Sequence, residues 1–291
     1  TFAVAAFQQG ESLTFTGSSS TGKFLHTDST GPGNGTYAIY GVLTSQPLTG
    51  DVMTGDTSLA TCILSGTATA RGAIWQAQCQ NQEFSGTGTQ LTVTGSTSSA
   101  TEYTEFTTVA GASFRDNANV QTNALRYNAS NGAAIRSTSS TTQCILQSEQ
   151  YSRISKLQIA ITGANSSGII VGSSDVVNEF LLVEGTYTGI SETSGMLAVG
   201  NSLTNVVFSN CVIIQRASAA DHIIGTGTSS PNFYNCTFAA ADDLATAPTS
   251  IFLSGASGTV TTQNCAMFAG DSTKAIKAGS ATFNFTTCYS D

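Results

Sequence analysis

The chain has 291 residues, of which only 10% are charged, and its 18 acidic side chains outnumber 10 basic ones to give a net charge of −8. A typical soluble domain carries about 25% charged residues, so this composition excludes a protein built on charged surface helices. The hydrophobic fraction of 40% also excludes disorder driven by charge. Low charge together with abundant Ser, Thr and Val indicates an all-β protein.

The first part of the chain, residues 1–104, predicts a small antiparallel β-sandwich or barrel. Short apolar runs are separated by polar turns at roughly 10–15-residue spacing. The predicted strands are Ser12–Phe15, Tyr37–Leu43, Thr61–Leu64, Ala73–Ala77 and Gln90–Val93. The Ser/Thr-rich stretch Gly95–Thr104 is interpreted as a linker, and His26 as an ordinary polar residue in a loop.

Two cysteines of this first part lie symmetrically about a predicted turn at Ala70–Gly72. This spacing predicts a hairpin of residues 61–66 with 73–79, in which Cys62 and Cys79 face each other. A disulfide between them is one alternative, and the other, which we favour, is that both thiols stay reduced, as in a chain made in the cytoplasm. The sequence has 7 cysteines and no Cys-x-x-Cys pair, so zinc-type spacing is absent.

The second part, residues 105–291, carries two alternating motifs from about residue 130. One is a short apolar strand ending in glycine, and successive terminal glycines are 28, 27, 28 and 24 residues apart: Gly172, Gly200, Gly227, Gly255 and Gly279. The other is an alternating strand followed by a cysteine: Asn205–Ile214, Asn232–Phe238, Val260–Phe268 and Phe283–Tyr289. A period near 27 residues is too short for a propeller blade and predicts a right-handed parallel β-helix.

Alternation within the second motif predicts which side chains point inward. The inward position three residues before each cysteine holds Phe208, Phe233, Thr262 and Phe285. The residue just before each cysteine breaks the alternation and is mostly Asn, which predicts a corner in the αL conformation. We expect the cysteines to form an inward column of small apolar side chains rather than a metal or disulfide ladder: Cys211, Cys236, Cys265 and Cys288.

Residues from about 130 to 291 resemble the β-helix of pectate-lyase-like proteins and phage tailspikes. In that group, stacked Asn residues at one corner form an internal ladder, and the matching residues here are Asn178, Asn210, Asn235 and Asn264, with Thr287 departing from the pattern. The lead-in, Gly111–Asp116 and Leu125–Gly132, also resembles that of phage-encoded β-helix proteins. The resemblance implies a structural protein of a bacteriophage virion, either a capsid decoration or a head spike, on the outer surface of the particle.

The main alternative is a β-helix enzyme that cleaves polysaccharide, which needs paired carboxylates or a calcium site. The acidic residues of the repeat fall at different places in their coils: Asp175, Glu179, Glu184, Glu192, Asp221, Asp242, Asp243 and Asp271. Arg216, Asp221 and His222 form the best local constellation, but a solvated salt bridge explains it equally well. We therefore predict no catalytic residue, no cofactor and no metal site.

The acidic net charge argues against nucleic acid as a partner, and no apolar run reaches the length of a membrane span. The resemblance implies the major capsid protein or other virion proteins as partners, and a homo-oligomer, with a trimer as the usual form in similar spikes. A third interpretation is an adhesin that binds a host-surface glycan without cleaving it. Its clue would be exposed aromatic side chains, for which the sequence offers Tyr187, Tyr234 and Tyr289.

Overall fold

A computed structural model describes most of the chain, and the structural statements below concern the residues that it describes. These are residues 7–28, 37–41, 44–65, 74–96, 98–117, 126–139, 142–163, 167–185, 195–216, 222–240, 250–254, 257–268 and 275–290. The chain divides into two compact units, residues 1–71 and residues 72–291. Within the described residues, no helix has both the length and the apolar character needed to cross a membrane.

The first unit contains a single five-stranded antiparallel sheet in the order β3-β2-β1-β4-β5. Its strands are β1 Ser12–Phe15, β2 Thr21–Asp28, β3 Tyr37–Gly41, β4 Val52–Gly55 and β5 Thr61–Ile63. The alternating side chains of β1 and β4 place Leu13, Phe15 and Met53 in a small apolar core with Phe24. The predicted antiparallel unit is confirmed as one sheet, and His26 lies within β2 rather than in a loop.

Two halves of this sheet repeat each other at an offset of 40 residues, from Gly10 to Gly50. Both glycines have positive φ, +83° and +92°, which glycine adopts without steric cost. The backbone N–H of Gly10 donates to the carbonyl of Phe24 at 2.7 Å, and that of Gly50 to the carbonyl of Leu64 at 2.9 Å. The unit is therefore built from two copies of one strand–turn–strand pattern.

A carboxylate from each half holds the turn of the other half. Glu11 accepts hydrogen bonds from the backbone N–H and the hydroxyl of Ser58, at 3.0 and 2.9 Å. Asp51 accepts one from the backbone N–H of Ser18 at 3.2 Å. Both carboxylates are buried, so these bonds are sheltered from competition with water.

The second unit is a parallel β-solenoid in which successive coils contribute one strand to each of three sheets. The first solenoid sheet contains β6 Trp75–Cys79, β9 Thr104–Thr108, β12 Ser152–Ser155, β15 Val176–Glu179, β18 Val206–Ser209, β21 Asn232–Tyr234, β24 Thr259–Gln263 and β27 Thr282–Thr286. The second contains β7 Glu83–Gly86, β10 Ala134–Ser137, β13 Gln158–Ile161, β16 Leu182–Gly185, β19 Val212–Gln215, β22 Thr237–Ala240, β25 Ala266–Phe268 and β28 Tyr289–Ser290.

The third solenoid sheet contains the glycine-ended strands predicted from the sequence, preceded by two strands that do not end in glycine. They are β8 Leu91–Val93, β11 Ile145–Gln147, β14 Ile169–Val171, β17 Leu197–Val199, β20 His222–Gly225, β23 Ser250–Ser254 and β26 Ala275–Gly279. Neighbouring strands pair in parallel in all three sheets, with partners such as Phe208 and Phe233 in direct register. The predicted parallel β-helix is confirmed as a solenoid of three sheets, with the glycine-ended strands together in one of them.

The parallel pairing begins at Trp75, before the predicted start of the solenoid at residue 105. The predicted hairpin of residues 61–66 with 73–79 is wrong, because β5 pairs with β4 and β6 pairs in parallel with β9. Cys62 and Cys79 are both free. The stretch predicted as a linker, Gly95–Thr104, connects β8 to β9 inside the solenoid.

One continuous apolar cluster fills the solenoid from the first coils to the last. Its centre is a chain of aromatic contacts: Phe208 stacks on Phe233 with ring centroids 5.3 Å apart, and Phe233 meets Phe238 edge-on at 5.4 Å. Phe252 extends the chain from the third sheet, 5.2 Å from Phe238. Residues from all three sheets therefore share one core, as the predicted inward positions require.

A corner of two residues joins the first sheet to the second in every coil from β12 onward. Its first residue is in the αL region: φ is 54° at Asn210, 53° at Asn235 and 54° at Asn264. The predicted αL corner is thus confirmed. The predicted place of Asn178 is wrong, because Asn178 lies inside β15 opposite Phe208, and Phe180 occupies the corner of that coil with φ of 52°.

The Asn ladder lies on the outside of the solenoid rather than inside it. Asn235 Nδ2 donates to Asn210 Oδ1 at 3.4 Å, and Asn264 Nδ2 donates to Asn235 Oδ1 at 3.3 Å. Asn235 and Asn264 are exposed. The buried amide in this region is Asn178, whose Nδ2 donates to Gln147 Oε1 at 3.1 Å.

The long connection between β9 and β10 covers part of the outer face of the second sheet. It contains the short helix α1, Phe114–Asn117, and a 3-10 turn, Ala129–Asn131. Phe114 packs against Leu182 and Ile214 of the sheet. Gly132 follows the turn with φ of 134°, and a Cβ there would lie 2.5 Å from the backbone nitrogen of Phe114, so the close approach requires glycine.

Candidate functional site

Three of the acidic residues considered as catalytic lie in described parts of the chain, and two of them link neighbouring coils. Asp175 accepts hydrogen bonds from Asn205 Nδ2 at 2.8 Å and Gln150 Nε2 at 2.7 Å. These bonds lower the pKa of Asp175. Glu179 accepts a long hydrogen bond of 3.5 Å from Asn210 Nδ2. Both carboxylates connect neighbouring coils through amide side chains, and they do not form an acid–base pair with each other.

Glu184, the third acidic residue, binds two arginines on the second solenoid sheet. Arg126 Nη2 lies 3.0 Å from Glu184 Oε1, and Arg216 Nη1 lies 3.3 Å from the same oxygen. The backbone N–H of Tyr127 donates to Glu184 Oε2 at 2.8 Å. The Glu184 side chain is only 10% exposed. Its oxygens are occupied by donors, so Glu184 fixes the β9–β10 connection onto the sheet.

A second ionic cluster on the same sheet has the same structural role. The hydroxyl of Tyr127 donates to the carboxylate of Glu83, and Arg136 Nη2 lies 2.7 Å from Glu83 Oε1. Burial alone would raise the pKa of Glu83, but the hydrogen bonds from Tyr127 and Arg136 lower it below its usual value. Burial and the bond to Glu83 raise the pKa of Tyr127. This cluster joins the first coil to the β9–β10 connection.

The described parts of the chain contain two of the three residues of the constellation considered from the sequence, Arg216 and His222. Arg216 follows β19 and pairs with Glu184, as described above. The side chain of His222 is fully buried at the start of β20, where it belongs to the interior of the solenoid. Asp221 lies outside the described residues. The described geometry supports a structural role for both Arg216 and His222.

Other residues considered from the sequence fall outside the described ranges: Glu192, Asp242, Asp243, Asp271 and Tyr187. Tyr234 is half-buried, and Tyr289 is 63% exposed on the last coil. In the part of the chain that the structure describes, no three His, Cys, Asp or Glu side chains are arranged to hold a metal ion.

The predicted inward cysteine column is confirmed for Cys211, Cys236 and Cys265, which are at most 2% exposed. Cys288, on the last coil, packs against the same core but is only partly buried, and all seven cysteines are free. Cys236 Sγ donates to the carbonyl of Phe208, and Cys265 Sγ to that of Phe233, both at 3.5 Å. Hydrogen bonding between neighbouring thiols, together with burial, raises the pKa of Cys236 and Cys265. These thiols act as packed side chains, since the reactive form is the thiolate.

A cavity lies at the corner where the third solenoid sheet passes to the first, and we call it the Trp75 cleft. It has a volume of about 460 Å³ and is lined by Trp75, Thr92–Ser96, Glu102–Thr104, Phe106 and Glu149. These residues come from β6, from β8 and the connection that follows it, from β9, and from the turn before β12. Residues from three successive coils therefore line this one cleft.

The floor of the Trp75 cleft is organised by the buried carboxylate of Glu149. Its Oε2 accepts a hydrogen bond from the backbone N–H of Ser96 at 3.1 Å, and its Oε1 accepts one from the hydroxyl of Thr104 at 3.1 Å. The hydroxyl of Ser96 also donates to this carboxylate. Glu149 is 6% exposed. A buried, fully engaged carboxylate of this kind fixes the β8–β9 connection against the next coil.

The walls of the Trp75 cleft carry aromatic side chains with defined orientations. The Trp75 ring meets Phe106 edge-on, with centroids 5.5 Å apart and an interplanar angle of 67°. Trp75 is nevertheless 59% exposed. The guanidinium of Arg153 lies 3.7 Å from the centroid of the Tyr103 ring. The cleft thus combines a fixed, solvent-facing indole with hydroxyl groups and two carboxylates.

Sequence reasoning named no residue of the Trp75 cleft as functional. Trp75 lies within a predicted strand, and its partners lie in the stretch interpreted as a linker. One signal was available, because Trp75 is the only tryptophan in the chain. The proximity of Trp75 to Glu149 depends on the stacking of three coils, and no local pattern encodes it.

Comparisons with known proteins give no further guide to the site: no protein-family model, no curated protein and no solved structure matches the chain. The functional argument therefore depends on the residues and their geometry.

Proposed function

We propose that the protein is a structural component of the outer surface of a bacteriophage particle, as a capsid decoration or head spike. One observation carries the proposal: the three parallel sheets of the solenoid enclose a single uninterrupted apolar core. The strands of each coil pair only with strands of the adjacent coils, so stability accumulates along the stack and the result is a stiff, protease-resistant body. Such a body suits a projection from a particle surface.

The polar clusters of the solenoid support a structural rather than a catalytic role. Glu184 and Glu83 each bind arginine and tie the β9–β10 connection to the second sheet. Asp175 and Glu179 link adjacent coils through amide side chains. The described carboxylates of the repeat are therefore used in holding the coils together.

The partners we propose are the major capsid protein or another virion protein, and further copies of this chain. Phe268 and Tyr289 support such contacts, since they are 37% and 63% exposed and their ring centroids lie 5.9 Å apart. Exposed apolar side chains that lie in one patch favour protein contacts. The net charge of −8 favours protein partners over nucleic acid.

The decisive experiment asks whether the chain is part of a particle. Particles of the phage that encodes the chain would be purified by density gradient, and their proteins would be identified by mass spectrometry. We expect the chain at a fixed stoichiometry to the major capsid protein, and antibody labelling in electron micrographs on the head surface. Its absence from particles that contain their full set of capsid proteins would refute the proposal.

A further inference from the structure

We propose that the Trp75 cleft is a carbohydrate-binding site for neutral or N-acetylated oligosaccharides. The indole would stack on the apolar face of a pyranose ring, and the polar groups around it would accept and donate hydrogen bonds to sugar hydroxyls. This site is separate from the ionic clusters that hold the solenoid together. It is also independent of the particle location proposed above.

The exposure of Trp75 is the first step of the argument. Tryptophan carries the largest apolar area of any side chain, and leaving it in water forgoes a stabilisation that burial would give. Trp75 is 59% exposed although its ring packs on Phe106. A ring that is held in place while its surface stays open is preorganised for a flat apolar partner, because little side-chain entropy is lost on binding.

The polar lining is the second step. Thr92, Thr94 and Ser96 line the same cleft as the indole and are exposed, and Glu102 lines it and is half-buried. Hydroxyls and carboxylates at the rim of an aromatic platform match a pyranose, which has one apolar face and an equatorial belt of hydroxyl groups. Glu149 keeps the rim in place, since its hydrogen bonds to Ser96 hold the β8–β9 connection.

Charge then selects among carbohydrates. The cleft is lined by two carboxylate side chains, Glu102 and Glu149, and by no Lys or Arg. A negative cleft repels uronic and sialic acids and accepts neutral or N-acetylated sugars. The guanidinium of Arg153 is stacked on the ring of Tyr103, a lining residue.

The test uses the fact that the chain has a single tryptophan. A glycan array would first rank neutral, N-acetylated and acidic glycans. Because tryptophan fluorescence of the intact protein reports on the cleft alone, the protein would then be titrated with chitotetraose, maltohexaose and isomaltohexaose. We expect at least one neutral or N-acetylated glycan to bind and to shift or quench the emission in a saturable way, with acidic glycans weaker.

Variants show whether binding depends on the indole. On the array, Trp75→Ala should weaken binding at least tenfold and Trp75→Phe should restore part of it, since a benzyl ring still stacks. Glu102→Gln should change the affinity without unfolding the chain. Leu59→Ala is the matched control, because Leu59 is 76% exposed in the other unit and should leave binding unchanged.

Three outcomes would overturn the carbohydrate site. They are the absence of binding to every neutral and N-acetylated glycan of the array, equal binding by Trp75→Ala at unchanged circular dichroism, and a preference for acidic glycans. A protein captured by the cleft in place of sugar, and lost in Trp75→Ala, would also assign it a different ligand. None of these outcomes bears on whether the chain is found in particles, so the two proposals fail separately.

Discussion

The corner residues show how backbone conformation selects side chains at single positions. Asn210, Asn235 and Asn264 share φ near 54°, which costs most L-residues roughly 1–2 kcal/mol and which Asn tolerates. Phe180 and Thr287 adopt the same φ in other coils. The corner is therefore imposed by the stacked strands, and Asn lowers its cost without being essential to its existence.

Substitutions at Asn235 should separate backbone strain from the ladder hydrogen bonds. Asn235→Ala and Asn235→Gly both remove the amide, but only alanine meets the αL strain, so we expect Asn235→Ala to be less stable by about 1 kcal/mol. Urea unfolding followed by circular dichroism measures the difference. Asn232, within β21, is the matched control, and there the order should reverse because glycine weakens a strand interior. The same order at both positions would contradict the assignment of strain.

The seven thiols should differ widely in reactivity in the native protein. Burial raises the pKa of Cys144 to about 12, and Cys236 is both buried and hydrogen-bonded to a neighbouring thiol. Cys62 is only partly buried, although its pKa is also raised by burial. We expect iodoacetamide to modify Cys62 well before Cys144 and Cys236, as read by peptide mass spectrometry. All seven should react alike in urea, and native modification of Cys236 at the rate of Cys62 would show that the column is open.

Elements are held together differently in the two units. In the antiparallel sheet, Glu11 and Asp51 each hold the turn of the opposite half. In the solenoid, hydrogen bonds run from coil to coil along the corners. The first unit therefore depends on two ionised carboxylates, whereas the second distributes its polar links over many positions.

This difference predicts an acid sensitivity of the first unit. Burial opposes ionisation of Glu11, but hydrogen bonds from Ser58, Gln8 and Thr57 outweigh it and lower the pKa below 4.5, and the bonds of Asp51 lower its pKa below 3.8. Because the folded-state pKa values are depressed, the stabilisation is present above the unfolded-state values and is lost as the pH falls through the folded ones.

The three methionines allow each unit to be followed separately. Met53 is buried in the first unit, and Met196 and Met267 are buried in the solenoid. In methyl NMR, Met53 reports the urea concentration at which the first unit is half unfolded. We expect this midpoint to decrease when the pH is lowered from neutral to about pH 3, and to decrease less in Glu11→Gln. The Met196 midpoint should not respond to Glu11→Gln. An equal acid shift in the variant and the wild type would show that Glu11 does not carry the effect.

The sequence predicted the repeated elements well because their signals are local. Inward alternation, the glycine-ended strands and the αL corner are each written within about ten residues, and the structure confirms them. The first coil was missed because β6, β7 and β8 lack the Asn-Cys corner of the later coils. Asn178 was misplaced by two residues because its coil has Phe180 at the corner. The Trp75 cleft depends on contacts between coils, so the linear pattern could not reveal it.

Across the whole molecule, the shared core should make central positions far more costly to alter than terminal ones. Phe233 is fully buried and contacts rings from three strands, so Phe233→Ala should destabilise the solenoid by roughly 3–5 kcal/mol. Phe285 stands in the equivalent column but is 41% exposed, so Phe285→Ala should cost much less. Chemical denaturation of both variants tests this, and equal losses would mean that the last coil is as well covered as the centre.

The two-residue corner between the first and second sheets has a consequence for how the chain can change length. From β12 onward that corner never varies, whereas the connections from the second sheet to the third range from six residues, 269–274, to eleven, 186–196. The unequal glycine spacing in the sequence reflects connections that can lengthen without altering any strand pairing. The connections from the third sheet back to the first also vary, from two residues, 280–281, to six, 200–205. Both of these corners are therefore open to insertion by evolution or by design, whereas the Asn-bearing corner keeps the strands of successive coils in register.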